Sequence, residues 1–184
     1  MYKPILILFL ATLVAGCKSE SGKGENEKVK TEIQHKVEEF ASFQLITDLS
    51  VLTAKEKQML PLLMEAAQIM DEIFWIEAFG DKEKLFSPDM DKYTRKFLNI
   101  NYGPWERLND NQPFIEGYGP KPAGANFYPA DMTKAEFEAW EEPTKTSLYT
   151  LIRRDEEGNL KSVPYHIAFK EKVEKAAGLI RQAA

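Results

Sequence analysis

Histidine and cysteine are almost missing from this chain, which has two of the first and one of the second in 184 residues. One cysteine excludes a disulfide framework and any Cys-rich zinc cluster. His35 and His166 stand far apart, with no HExxH-type spacing around either. That leaves little material for a metal site or a Ser-His-Asp arrangement. Basic residues are not in excess either: 24 Lys and Arg face 29 Asp and Glu, a net charge of -5. Nucleic-acid binding needs a basic face that displaces counterions, so no nucleic-acid partner is expected. The chain has no Gly-rich phosphate loop, no G-x-S-x-G elbow and no internal repeat. The apolar run at residues 5–14 is too short to cross a bilayer, which takes roughly 20 such residues.

That short run has the anatomy of a secretory signal. Lys3 supplies a positive start, and Val14-Ala15-Gly16-Cys17 ends the segment with small residues ahead of the only cysteine. The ending resembles a bacterial lipobox. The resemblance implies that Cys17 is diacylated on sulfur, freed by cleavage and acylated on its new amine. Each buried methylene contributes about 0.8 kcal/mol, so two or three chains would anchor the protein to the membrane. The alternative is an ordinary signal peptide with an incidental cysteine. Lys18 rather than Asp follows Cys17, which resembles outer-membrane sorting and implies the periplasmic face of the bacterial cell envelope. Residues 18–31 are Ser, Gly, Lys and Glu with almost nothing apolar, a composition that cannot offset its own ordering entropy. The expected organisation is a signal peptide at 1–16, a lipidated cysteine and flexible tether at 17–39, and a folded domain at 40–184.

The domain reads as mainly α with a small β-hairpin, an α+β class. Thr53-Ala54-Lys55-Glu56 is a capping box ahead of an apolar-periodic run. Pro61 either kinks that helix or starts a second one. Leu63, Ala66, Ala67, Met70, Ile73, Phe74 and Ile76 follow helical spacing up to Gly80. Of the acidic residues on this helix, Glu72 draws most notice, although such residues usually form a solvated face. Ser87-Pro88 predicts a second helix start, running through Met90, Tyr93 and Phe97. Thr133 to Glu136 is another capping box, with a short helix to Trp140. Residues 147–153 and 160–164 form a predicted hairpin around Asp155-Glu156-Glu157-Gly158-Asn159. A last helix over 165–183 places Phe169, Val173, Ala176, Ala177 and Ile180 on one face.

Residues 99–131 are a long stretch of Gly, Pro, Asn and aromatics, and loops of this length are usually functional or disordered. Its many rings argue for a loop pinned onto the helices. Tyr102, Trp105, Arg107, Asn126, Tyr128 and Asp131 are the candidate contacts to a substrate, since rings with polar handles and hydrogen-bonding side chains suit a ligand backbone. The competing reading makes the rings core plugs, with Asp131 capping the helix after Met132 or orienting its turn.

The motifs NINYGPWERL (99–108), PFIEG (113–117) and GANFYPADMTKAEFEAW (124–140), with LITDLS (45–50), MLPLLMEAAQIMDEIFW (59–75) and SLYTLIRRDEEGNL (147–160), carry a resemblance. They are similar to the N-terminal region of bacterial zinc hydrolases of the dipeptidyl-peptidase III family, over 40–184. The resemblance implies the N-terminal helical lobe of a larger two-lobed α+β hydrolase. It also implies a His-Glu…His zinc site in a catalytic lobe missing here. No cofactor is expected in this chain, and no position matches the family's metal ligands or catalytic glutamate.

Two functions follow. In the first, the chain is the non-metal portion of a membrane-anchored zinc-dependent peptidase-like hydrolase, shaping a substrate cleft and inactive alone. Its partners are then a peptide-like substrate and the missing lobe. The last helix, with nothing expected to cover its apolar side, and a two-stranded hairpin marginal by itself, both motivate this. In the second, the chain is a stand-alone lipoprotein binding module without catalytic activity.

Overall fold

The computed structural model describes residues 30–184. The signal peptide, Cys17 and most of the expected tether lie outside the described residues. The first element of the described residues is α1, Glu32–Glu38, capped by Thr31, whose hydroxyl accepts from Gln34 N at 3.2 Å. This helix falls inside the stretch expected to be tether. It is held because Val37 is buried, Phe40 meets the Phe97 ring at 6.2 Å, and Lys36 pairs with Glu106 at 2.6 Å. The domain therefore starts ahead of residue 40.

Helix α2, Ala54–Ala78, opens on the capping box: Glu56 N reaches Thr53 Oγ1, and Thr53 N reaches Glu56 Oε2. It runs through Pro61 as one helix, about 37 Å long at 1.5 Å per residue. Proline there removes one donor and leaves the Lys57 carbonyl without its usual partner. Gly80 follows at φ 117, and its N–H reaches Trp75 O at 3.2 Å. That left-handed position favours glycine, which closes the helix as a C′ residue.

The second helix starts later than Ser87-Pro88 predicts. Ser87 O accepts from Met90 N to close a turn with Pro88 in its second position. Helix α3 is Lys92–Asn101, capped by Asp91, whose Oδ1 accepts from Tyr93 N at 2.9 Å and Thr94 N at 3.1 Å. The Thr94 side chain, together with these backbone bonds, keeps the Asp91 carboxyl below its ordinary range. A carboxylate taking two orphan N–H groups outcompetes the serine upstream. Short strands β1 (Trp105–Glu106) and β2 (Gln112–Pro113) pair antiparallel inside the long loop. Helix α4, Lys134–Ala139, has Thr133 as its N-cap.

The hairpin consists of β3, Thr150–Arg154, and β4, Leu160–Pro164, in antiparallel register from Thr150 opposite Pro164 to Arg154 opposite Leu160. Residues 144–147 form a turn rather than the start of a strand, with Ser147 N donating to Thr144 O. The last helix is broken in two. Helix α5 is Tyr165–Ala168 and α6 is Lys170–Ala183, parted at Phe169, which leaves helical geometry at φ -121 and sinks into the core.

Both elements expected to lack cover have it. Ala66 and Ile69 of α2 pack on Ala176 and Leu179 of α6, so α6 presents Leu179 and Ala183 to the core while Ile180 is exposed. The hairpin sends Leu151 into a cluster with Ile73 of α2 and Phe169, and Ile152 N donates to Phe127 O at 3.0 Å. Each fully buried side chain of this size contributes roughly 1.5–3 kcal/mol. Outside that face, apolar surface of α2 stays open: Leu63, Met64, Met70 and Phe74 are exposed. Phe43, Leu45, Ile46 and Val51 in the preceding segment are exposed too.

Candidate functional site

The loop from α3 to α4 is built on the C-terminal ends of α2 and α3. The last carbonyls of a helix have no partner inside it. Loop residue Asn126 takes two of α2's: its Nδ2 donates to Ile76 O at 2.7 Å and its backbone N–H to Glu77 O at 2.9 Å. Gly124 precedes it at φ 75, and a Cβ there would stand 2.3 Å from Tyr128 Cδ2. The Tyr128 ring closes over this bend and meets Phe137 at 5.7 Å.

At the end of α3, Tyr102 sits in the left-handed region at φ 53. Its hydroxyl donates to Asp71 Oδ1 in a short hydrogen bond, and the carboxylate there raises the phenol above its ordinary range. Its ring packs edge-on to Phe74 at 4.7 Å. Arg107 lies over both rings, 5.1 Å from Phe74 and 5.2 Å from Tyr102. Asn101 fixes Arg107: its Oδ1 accepts from Arg107 N and its backbone O from Arg107 Nε, each at 3.0 Å. Trp105 is buried, donates Nε1 to Gly119 O at 2.9 Å and packs against Phe79 and Tyr118.

Asp131 neither caps the helix after Met132 nor orients its turn alone. Its Oδ2 accepts from Arg154 Nε at 2.8 Å, and Arg154 also grips Glu136 through two nitrogens at 2.8 and 3.1 Å. Glu136 thus spends its carboxylate on Arg154 and lies below the ordinary glutamate range. Thr133 Oγ1 still accepts from Glu136 N, so only half of the second capping box forms.

The six candidates therefore do not converge. Tyr102 and Arg107 share a cluster; Trp105 is core; Tyr128 and Asp131 belong to the α4 side. Several clefts border the loop. The first, of about 730 Å³, lies between residues 110–113 and 120–125, floored by Phe127. The second, of about 640 Å³, is lined by Asp71, Trp75, Asn126 and Lys172. Of the six, Asn126 is the residue that lines either cleft.

Two residues matter more than the sequence reading allowed. Asn101 is buried and holds Arg107. Glu77 is the buried carboxylate of α2; among the described residues its Oε1 has no hydrogen bond, and burial together with this carboxylate raises the Tyr165 phenol above its ordinary range. Glu77 lies four and eight residues after Ile73 and Ile69, a spacing that marks the inward face. Glu72 is exposed and paired with Lys172.

Among the described residues, no group of three or more His, Cys, Asp or Glu is placed to hold a metal. His35 on α1 and His166 on α5 are both exposed. These residues do not fit a zinc site.

No protein-family profile matches the chain. Among solved structures, DPP III from Caldithrix abyssi is similar at 36% identity and a TM-score of 0.74, over 81% of this chain and 30% of that one. Dipeptidyl-peptidase III from Corallococcus sp. strain EGB is similar at 31% identity and a TM-score of 0.73, over 82% of this chain and 30% of that one. Nudix hydrolase 3 of Arabidopsis thaliana is 26% identical over 70% of this chain and 22% of its own length. The chain thus spans less than a third of the length of these relatives. In fold and in sequence, the domain is dipeptidyl-peptidase III-like.

Proposed function

We propose that the chain serves as the non-metal portion of a membrane-anchored, zinc-dependent peptidase-like hydrolase, in which the 99–131 loop is a fixed wall of the substrate cleft. The likeness to two dipeptidyl-peptidase III structures over some four-fifths of the chain carries this reading. The uncovered stripe of α2 supports it, because exposed apolar surface of this kind marks an interaction site. In this reading the zinc is held by the remaining part of the enzyme, and the substrate is peptide-like. The lipid on Cys17 anchors the assembly at the periplasmic face of the outer membrane.

The test is hydrolysis of a dipeptidyl naphthylamide with zinc present. The chain alone should release no product, and the chain joined to the metal-bearing part of the Caldithrix abyssi relative should release it. Zinc-dependent release by the chain alone would overturn the proposal.

The second reading, a stand-alone lipoprotein binding module, is favoured by the cover that α2 gives to α6 and the hairpin. It requires a cooperatively folded monomer that binds a ligand saturably by itself. Failure to fold without a second segment would eliminate it.

A further inference from the structure

The first cleft holds a cation that no carboxylate neutralises. Lys121 is half-buried, and among the described residues its Nζ makes one hydrogen bond, a long contact of 3.3 Å to Asn111 Oδ1. It takes part in none of the ion pairs of the described domain. Asp110 borders the same cleft but is exposed and unpaired with it. Of the other neighbours, the Trp105 ring faces the ammonium at 6.0 Å, the outer reach of a cation–π contact, and the Arg107 guanidinium repels it. Burial and that repulsion both push Lys121 below its ordinary range. A charge kept this way costs free energy, which an arriving anion would recover.

The partner of Lys121 is itself half-used. Asn111 Oδ1 accepts the lysine hydrogen bond, and its Nδ2 remains a donor with no hydrogen bond among the described residues. The Asn111 backbone is fixed at φ 55, with its N–H on Glu106 O at 3.0 Å. Pro120, Pro122 and Phe127 give the cleft an apolar wall beside these donors.

We propose that this cleft binds an anionic oxygen group, and in a peptide substrate its carboxylate, between the Lys121 ammonium and the Asn111 carboxamide. One carboxylate oxygen accepts from Nζ and the other from Nδ2, both bonds replacing water in a partly shielded site. An apolar side chain next to the carboxylate fits the proline and phenylalanine wall. The choice of a peptide carboxylate rests on the peptidase-like reading above; the anion site itself does not.

The experiment is a nuclear magnetic resonance titration of the full 184-residue chain, labelled at lysine Cε and asparagine side-chain amides. The probes are acetyl-dialanine, acetyl-dialanine amide and inorganic phosphate. Acetyl-dialanine should shift Lys121 and Asn111 saturably, and its amide should bind at least about tenfold more weakly, the equivalent of losing one charge-assisted hydrogen bond. Lys121→Met should abolish the response of the Asn111 amide while leaving the rest of the spectrum in place, and Lys121→Arg should retain it. An equal response to the amide, or an unchanged response in Lys121→Met, would overturn the site. Saturation by phosphate without any response to acetyl-dialanine would overturn the carboxylate assignment, and the hydrolysis assay judges the peptidase reading separately.

Discussion

Residues 41–52 and the loop after α3 both lack regular structure over most of their length and both carry large apolar side chains, yet they end in opposite states. In the first, Phe43, Leu45, Ile46 and Val51 stand exposed. In the second, Trp105 is buried, and Phe114, Tyr118, Phe127 and Tyr128 are half-buried. Apolar content does not separate them. What separates them is polar bookkeeping: Asn126 satisfies the end of α2, Trp105 donates to Gly119 O, and Asn101 holds Arg107. The large apolar side chains of the 41–52 segment carry no such handles, and its polar contacts, such as Ser50 N to Asp48 Oδ1, stay local. A loop becomes a wall when its backbone and side-chain donors find helix ends to satisfy.

The sharpest way to break this contrast is Trp105→Ala, which removes a buried ring and its hydrogen bond. It should destabilise the domain by about 3–5 kcal/mol in denaturant unfolding. Gly124→Ala should follow at about 2 kcal/mol, because it meets both a left-handed φ and the Tyr128 ring. Asn126→Ala should cost about 1–2 kcal/mol by leaving the Ile76 carbonyl unpaired, read in the same measurement.

A smaller effect should appear with pH. Glu136 is held below the ordinary glutamate range by Arg154. Its contribution is therefore present above the unfolded-state value and is lost as pH falls through the lower folded-state value. Unfolding midpoints compared in mild acid should fall further for the native chain than for Glu136→Gln. Smallest of all, Leu45→Ser with Ile46→Ser should leave the isolated chain within about 0.5 kcal/mol of its starting stability, since neither side chain is buried.

Much of the fold was legible because its signals are local. The Thr53 capping box, the C′ position of Gly80 and the hairpin around residues 155–159 are each written within a few neighbouring residues. The start of α3 was misplaced because Ser87 and Asp91 both have the chemistry of an N-cap, and only the second finds its N–H groups. The break at Phe169 was not legible, since it depends on a core formed by Ile73 and Leu151 from distant parts of the chain.

Among the candidate residues, the sequence marks the loop but not how the structure distributes its parts. Asn126 serves a helix end fifty residues away, and Asp131 and Glu136 answer to Arg154 across the hairpin. Contacts at that separation leave no periodic trace. Glu77 did leave one, in its spacing from Ile69 and Ile73. The cover of the last helix was missed for a related reason: it comes from Ala66 and Ile69 of α2, in a distant part of the chain.

The central claim is that the loop is a fixed wall built on α2 and α3, and amide hydrogen exchange tests it most directly. The account predicts slow exchange at Arg107, Phe114, Asn126 and Phe127, whose N–H groups are all hydrogen-bonded. It predicts exchange near the unprotected rate at residues 43–47. Equally fast exchange in both segments would contradict it.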